Sequence, residues 1–314
     1  MKLIYVFQRL NLFVIEGNVT FEESNTKNCI MKNIFTLFLS FVFSISILAN
    51  ETNQDKRILL KLYQNTNGDQ WKIKWDLTAP ISTWYGLKFV DNKLVSINLS
   101  NNNLIGELPK EIVNLSNLEA LNLFKNQIFG TIPENIGNLK KLKEMNLSFN
   151  KLTGRIPISI CKMQNLKKLE LFMNQLSGEL PIQIGELKEL EYLSLFNNEL
   201  TGHIPASLYK IKNLRYLFLS SNKLAGTISW DVSNLKSLES LSLFDNKLEG
   251  QIPFDIVKLK NLKEMNISYN SFSGAVSKDI VKMDAYNLTM INQYGLAVLM
   301  EVSKDNVGIL ANDD

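Results

Sequence analysis

The sequence predicts an α/β solenoid: stacked turns with a parallel β-sheet on a concave face and short helical or 3-10 segments on the convex face. Two observations carry this expectation. Asparagine recurs every 24 residues, at Asn102, Asn126, Asn150, Asn174, Asn198, Asn222, Asn246 and Asn270. Around each one the chain reads L-x-x-L-x-L-x-x-N-x-L-x-G-x-I-P with few departures, as in LEALNLFKNQIFGTIP at 118–133. A fixed period of this size marks units that bury their apolar face only by stacking on neighbours.

Each position of the unit has a physical role. Leu121 and Leu123 alternate with Ala120, Asn122 and Phe124, which is a strand with one face buried. Asn126 ends the strand, and its amide both donates and accepts, so it is expected to satisfy backbone groups where the chain bends. Ile128 and its counterparts, from Leu104 to Phe272, fill the middle of the core. Gly130 and its column suit a tight bend. Proline at 109, 133, 157, 181, 205 and 253, replaced by Ser229 and Ser277, turns the chain toward the outer face. There a second apolar ladder, such as Ile136 and Leu139, has the spacing of a short helical or 3-10 turn.

Composition sets wide bounds. The 314 residues are 45% hydrophobic and 21% charged, with a formal net charge of +3. That balance carries no clustered basic face, so nucleic acid is not an expected partner. Two cysteines, Cys29 and Cys161, do not make a disulfide framework. Cys161 falls at an apolar repeat position and is expected to be buried. His203 is the only histidine and has no acid or nucleophile implied beside it. No metal-ligand spacing and no phosphate loop is present, so no cofactor and no enzymatic activity are expected.

The ends of the chain read differently. Residues 31–49 (MKNIFTLFLSFVFSISILA) have the charge, apolar run and small residue of a secretory signal peptide. The apolar run is short of the ~20 residues that span a bilayer, so no stable transmembrane anchor is expected. Residues 1–30 then read as an extension of the gene model ahead of Met31. Residues 50–93 form an N-terminal cap, with a helix over 55–64 stopped by Asn67-Gly68. Trp71, Trp75 and Trp84 are expected to cover the open end of the first turn. Repeats occupy 94–285. Residues 286–314 are an exit cap and tail, with strands at 288–291 and 295–302 and a fraying end from Val307.

The pattern resembles the plant-type leucine-rich repeat of plant receptor-kinase ectodomains, polygalacturonase inhibitors and many secreted bacterial proteins. The resemblance implies a leucine-rich-repeat solenoid of eight 24-residue repeats. NTNGDQW…W…WYGLKF, at 65–89, resembles the segment that precedes such repeats. Plant members carry paired cysteines there and this chain has none, which with its composition points to secreted bacterial, Bacteroidetes-like members. The family implies binding through the concave sheet, by a secreted or cell-surface protein.

The outward columns of the strands say where a partner would sit. Phe172, Tyr192, Phe196, Tyr216 and Phe218 gather on the fourth to sixth repeats. Phe172 and Phe196 belong to a recurring Phe column. Tyr192, Tyr216 and Phe218 break the pattern of their columns and are the stronger candidates for ligand anchors. Lys168 and Glu170 lie beside them, with mixed charge that sets no preferred sign. The expected ligand is a protein or peptide. A glycan stacking on the rings is the alternative.

Overall fold

The computed structural model describes residues 54–277, 279–280, 300–302 and 307–310. The expectations for 1–30, for the signal peptide at 31–49 and for a strand at 288–291 lie outside the described residues. The described repeats stack as a solenoid. Among the described residues the main sheet has nine strands. Eight run parallel in chain order: Lys93–Asn98, Ala120–Asn122, Glu144–Asn146, Lys168–Glu170, Tyr192–Ser194, Tyr216–Phe218, Ser240–Ser242 and Glu264–Asn266. The register never slips: residue i pairs with residue i + 24, as in Leu193 with Leu217. The strand leucines face inward and are buried.

The opposite side carries 3-10 turns, among them Ile136–Asn138, Ile158–Lys162 and Trp230–Asn234. Pro109, Pro157 and Pro253 stand at the N-caps of three of them, where the missing N–H costs nothing. Ser229 replaces proline at another, and its hydroxyl accepts from the Asp231 N–H. These turns pack closely. A Cβ at Gly137 would lie 1.8 Å from the Ser159 carbonyl oxygen of the next turn, so only glycine fits.

The asparagine ladder is a set of staples between turns. Asn198 Oδ1 accepts from Leu176 N at 3.0 Å, and its Nδ2 donates to Leu171 O and Leu195 O at 3.0 Å each. Leu171 and Leu176 belong to the preceding turn. Asn222, Asn246 and Asn270 repeat the arrangement. The orphan groups therefore lie one turn back, not only at the local bend. The bend itself falls on the residue before each asparagine. Lys125, Phe149, Met173, Asn197, Ser221, Asp245 and Tyr269 all have left-handed φ, between 50° and 57°. Non-glycine residues seldom adopt that conformation, and the staple on the next residue holds it.

Three features differ from expectation. First, strands such as Gln127–Thr131, Lys151–Gly154 and Gln175–Glu179 form a second, five-stranded parallel sheet after the asparagine, with a three-stranded one beyond it. Each such strand is short with few core residues, and those at Gly130, Gly154 and Gly178 carry a positive-φ glycine, so alternation is too short to read. Second, Leu87–Val90 pairs antiparallel with Lys93–Asn98 at the sheet edge. Asp91 and Asn92, both at positive φ, make the two-residue hairpin turn. Third, Val307–Leu310 does not fray. It is a strand that pairs antiparallel with Gly274–Ser277 and with Met300–Val302.

Ahead of the repeats, residues 54–65 are helical and Asn67 adopts the left-handed conformation that ends the segment. Trp71, Trp75 and Trp84 are buried at 2–4% exposure, with centroids 4.8 and 4.6 Å apart. Each indole N–H donates to a backbone carbonyl: Thr66, Tyr85 and Asp76 respectively. Asn102 joins this segment to the first turn by accepting from Ile73 N and donating to Ile73 O.

Two outcomes are expected. Asn198→Ala strands Leu176 N–H, at ~1–3 kcal/mol for a buried orphan group, while Leu171 O and Leu195 O keep the bonds from Asn174 and Asn222. Urea unfolding should show a loss of ~1–3 kcal/mol. Asn165→Ala, which removes one exposed bond to Lys140 O, should cost ~1 kcal/mol or less. Burial first, then the Glu186 carboxylate, pushes the buried Cys161 thiol up to about 12. In the unfolded chain a thiol ionises near ~8.5. The folded state then holds a proton that the unfolded state releases. This contribution is present below ~8.5 and is lost as pH rises through about 12. Denaturation across that window should show stability falling, with a shallower fall in Cys161→Ala.

Candidate functional site

Strand register builds the concave surface in columns. One column runs Lys168, Tyr192, Tyr216, Ser240, Glu264, each paired with the next across neighbouring strands. The adjacent outward column runs Glu170, Ser194, Phe218, Ser242, Asn266. Neighbouring strands lie ~4.8 Å apart, so large side chains in one column touch.

Tyr192, Tyr216 and Phe218 form a triangle, with centroids 5.5, 5.6 and 6.4 Å apart. Phe172 and Phe196 form a separate pair, stacked at 4.5 Å with planes 10° apart. Phe172 also meets Phe124 and Phe149, so this row of rings runs back toward earlier turns. All five nominated rings are half-buried. A shallow hollow of ≈ 640 Å³ joins the two groups, lined by Tyr192, Phe196, Phe218, Ser242, Glu264 and Asn266 among others. Phe172 is not on its lining.

Lys168 and Glu170 take different places. Lys168 Nζ lies 4.9 Å above the Tyr192 ring and 2.9 Å from Glu170 Oε2. Glu170 was expected to face a ligand. It is instead buried at 8% exposure, holding Lys168 and accepting from Asn146 Nδ2 at 2.9 Å. A long carboxylate on a flat sheet folds down onto its cross-strand neighbours when cations and amides satisfy it there. Glu170 therefore positions Lys168. Burial, then the Glu170 carboxylate, raises the Tyr192 hydroxyl above its ordinary pKa, so the ring stays neutral.

A charged margin flanks the columns. Arg215 lies with Cζ 5.3 Å from the Tyr216 centroid, and its Nε donates to Glu239 Oε1 at 2.6 Å. Lys263 Nζ reaches Glu239 Oε2 at 2.8 Å. Hydrogen bonds from Lys263 and then Arg215 hold the Glu239 carboxyl below its ordinary pKa. The same column continues as Glu119 with Lys143 and Lys167 with Glu191. Solvent screens exposed pairs of this kind, and they contribute little to stability. Their effect here is to hold Arg215 against Tyr216.

Sequence reasoning missed Glu239, Glu264 and Phe149. Glu239 and Lys263 were readable as opposite charges 24 residues apart. Phe149 breaks a column that is otherwise mostly polar, at the left-handed position before Asn150. Among the described residues, no cluster of His, Cys, Asp and Glu could hold a metal ion. No helix among them is long and apolar enough to cross a membrane.

The geometry has parallels in known proteins. Models for a leucine-rich repeat region and for the leucine rich repeat match 159–305, and 93–115, 117–139 and 141–163. Among solved structures, the PEPR1–AtPEP1 complex superposes with a TM-score of 0.67 at 29% identity, over 76% of this chain and 38% of that one. The Arabidopsis receptor kinase HAESA, in complex with the peptide hormone IDA and the co-receptor SERK1, gives 0.61 at 30% identity, over 76% and 46%. A plant ice-binding protein gives 0.56 at 26% identity, over 71% of this chain and 88% of that one. The chain thus spans less than half the length of these receptor structures.

Proposed function

The chain is a leucine-rich repeat protein, and we propose that it is a non-enzymatic scaffold that binds a peptide or protein through its concave sheet. The observation that carries this reading is the aromatic triangle of Tyr192, Tyr216 and Phe218 beside an open hollow. Large rings on a stapled sheet lose little freedom on binding and give apolar contact area to an extended ligand. Structural neighbours support it: HAESA was solved with a peptide hormone, and RGFR1, 38% identical over 56% of this chain, is described as a plant peptide hormone receptor in complex with RGF2. The signal-like segment at 31–49 supports secretion or display at the cell surface. We place Phe172, Phe196 and Lys168 at the margin of the site. Glu170 orients Lys168 from below.

The test is a random linear-peptide display library panned on the full chain, with a glycan array run in parallel. Tyr216→Ala and Phe218→Ala should each weaken selected peptides at least ~10-fold. The melting temperature should move by only ~3 °C or less, because both rings are half-exposed. Peptides whose affinity ignores both substitutions would place the site elsewhere. Binding confined to glycans would replace the peptide reading with the carbohydrate one.

A further inference from the structure

The hollow beside the aromatic triangle has walls of unlike chemistry. Tyr192, Phe196 and Phe218 form one side. Ser220, Ser240 and Ser242 lie between, with the Ser220 and Ser242 hydroxyls 2.6 Å apart. Glu264 and Asn266 close the far side, two strands from Phe218 along the sheet. At ~4.8 Å per strand the two walls stand ~10 Å apart, room for one side chain between them.

Charge is distributed unevenly around this space. The two nearest cations on the margin, Arg215 and Lys263, both bond Glu239. Lys168 is engaged by Glu170 and already caps Tyr192, while Arg215 caps Tyr216. Glu264 accepts one hydrogen bond, from Ser240 Oγ at 3.1 Å, and among the described residues it forms no ion pair. No cation of the described residues covers Phe218. Aromatic rings, hydroxyl oxygens and a carboxylate therefore line one hollow, a set of groups that can accommodate positive charge.

We propose that this hollow receives a basic side chain, arginine or lysine, of the peptide ligand. The inference rests on the peptide-binding reading above. The alkyl stem lies along Phe218 and Tyr192, and the charged end meets Glu264. An acidic side chain would meet the Glu264 carboxylate at close range. A purely apolar one would cover that carboxylate without pairing it, which is costly.

The peptides selected on the full chain provide the test. They should share an arginine or lysine at one fixed position. Exchanging that residue for norleucine should weaken binding roughly tenfold. Glu264→Gln should weaken the parent peptide by a similar factor. It should not weaken the norleucine peptide, because the partner charge is already gone and the buried carboxylate's cost with it. Selected peptides without a fixed basic residue would overturn the proposal, and so would Glu264→Gln binding within twofold of the parent chain. Either result leaves the peptide-binding reading intact if Tyr216→Ala and Phe218→Ala still weaken binding at least ~10-fold. A library that yields no binder overturns both.

Discussion

The strand columns of this solenoid depend on the hydrogen bonds of one inward-turned asparagine amide per turn, buried or half-buried. Each ladder asparagine ties the end of its own strand to the turn before it. With the staples in place, the turns cannot slide against one another, and residues 24 apart stay in register. A parallel sheet of three-residue strands has few backbone bonds with which to hold that register. The staples supply the difference from inside the core, where competing water is absent and each bond counts for more.

Register converts sequence into a surface. Because columns are fixed, a residue type that changes from one repeat to the next changes the chemistry of a known point on the concave face. Tyr192 and Tyr216 are neighbours in space for no reason other than a 24-residue separation. The same holds for Arg215 and Glu239 on the margin and for Ser240 and Glu264 across the hollow. The scaffold thus separates two tasks: inward positions keep the period, and outward positions are free to vary.

The fold was legible where a position recurs. Leucine, asparagine, glycine and proline each repeat for a reason that the single turn at 118–141 already displays. What recurs only as a brief strand with one or two core residues, as in Lys151–Gly154, left no alternation to read, so the second sheet stayed hidden. Nor did the chain advertise the hairpin at Asp91-Asn92 or the pairing of Val307–Leu310, since neither belongs to the period. At the candidate site, Tyr192, Tyr216 and Phe218 were visible because they depart from their columns. Glu170 misled because parity along a strand tells which face a side chain leaves from. It does not tell whether that side chain then bends back onto Asn146 and Lys168.

The direction of the staples has a consequence for how the chain is made. Every ladder asparagine reaches backward, so a turn is closed only by the one that follows it. On a ribosome releasing ~5–20 residues per second, the 24 residues of the next turn take on the order of 1–5 s to emerge. Through that interval the newest turn exposes leucine carbonyls and N–H groups that its successor will fill. The nascent solenoid therefore always carries one unfinished edge, which moves along the chain as synthesis proceeds.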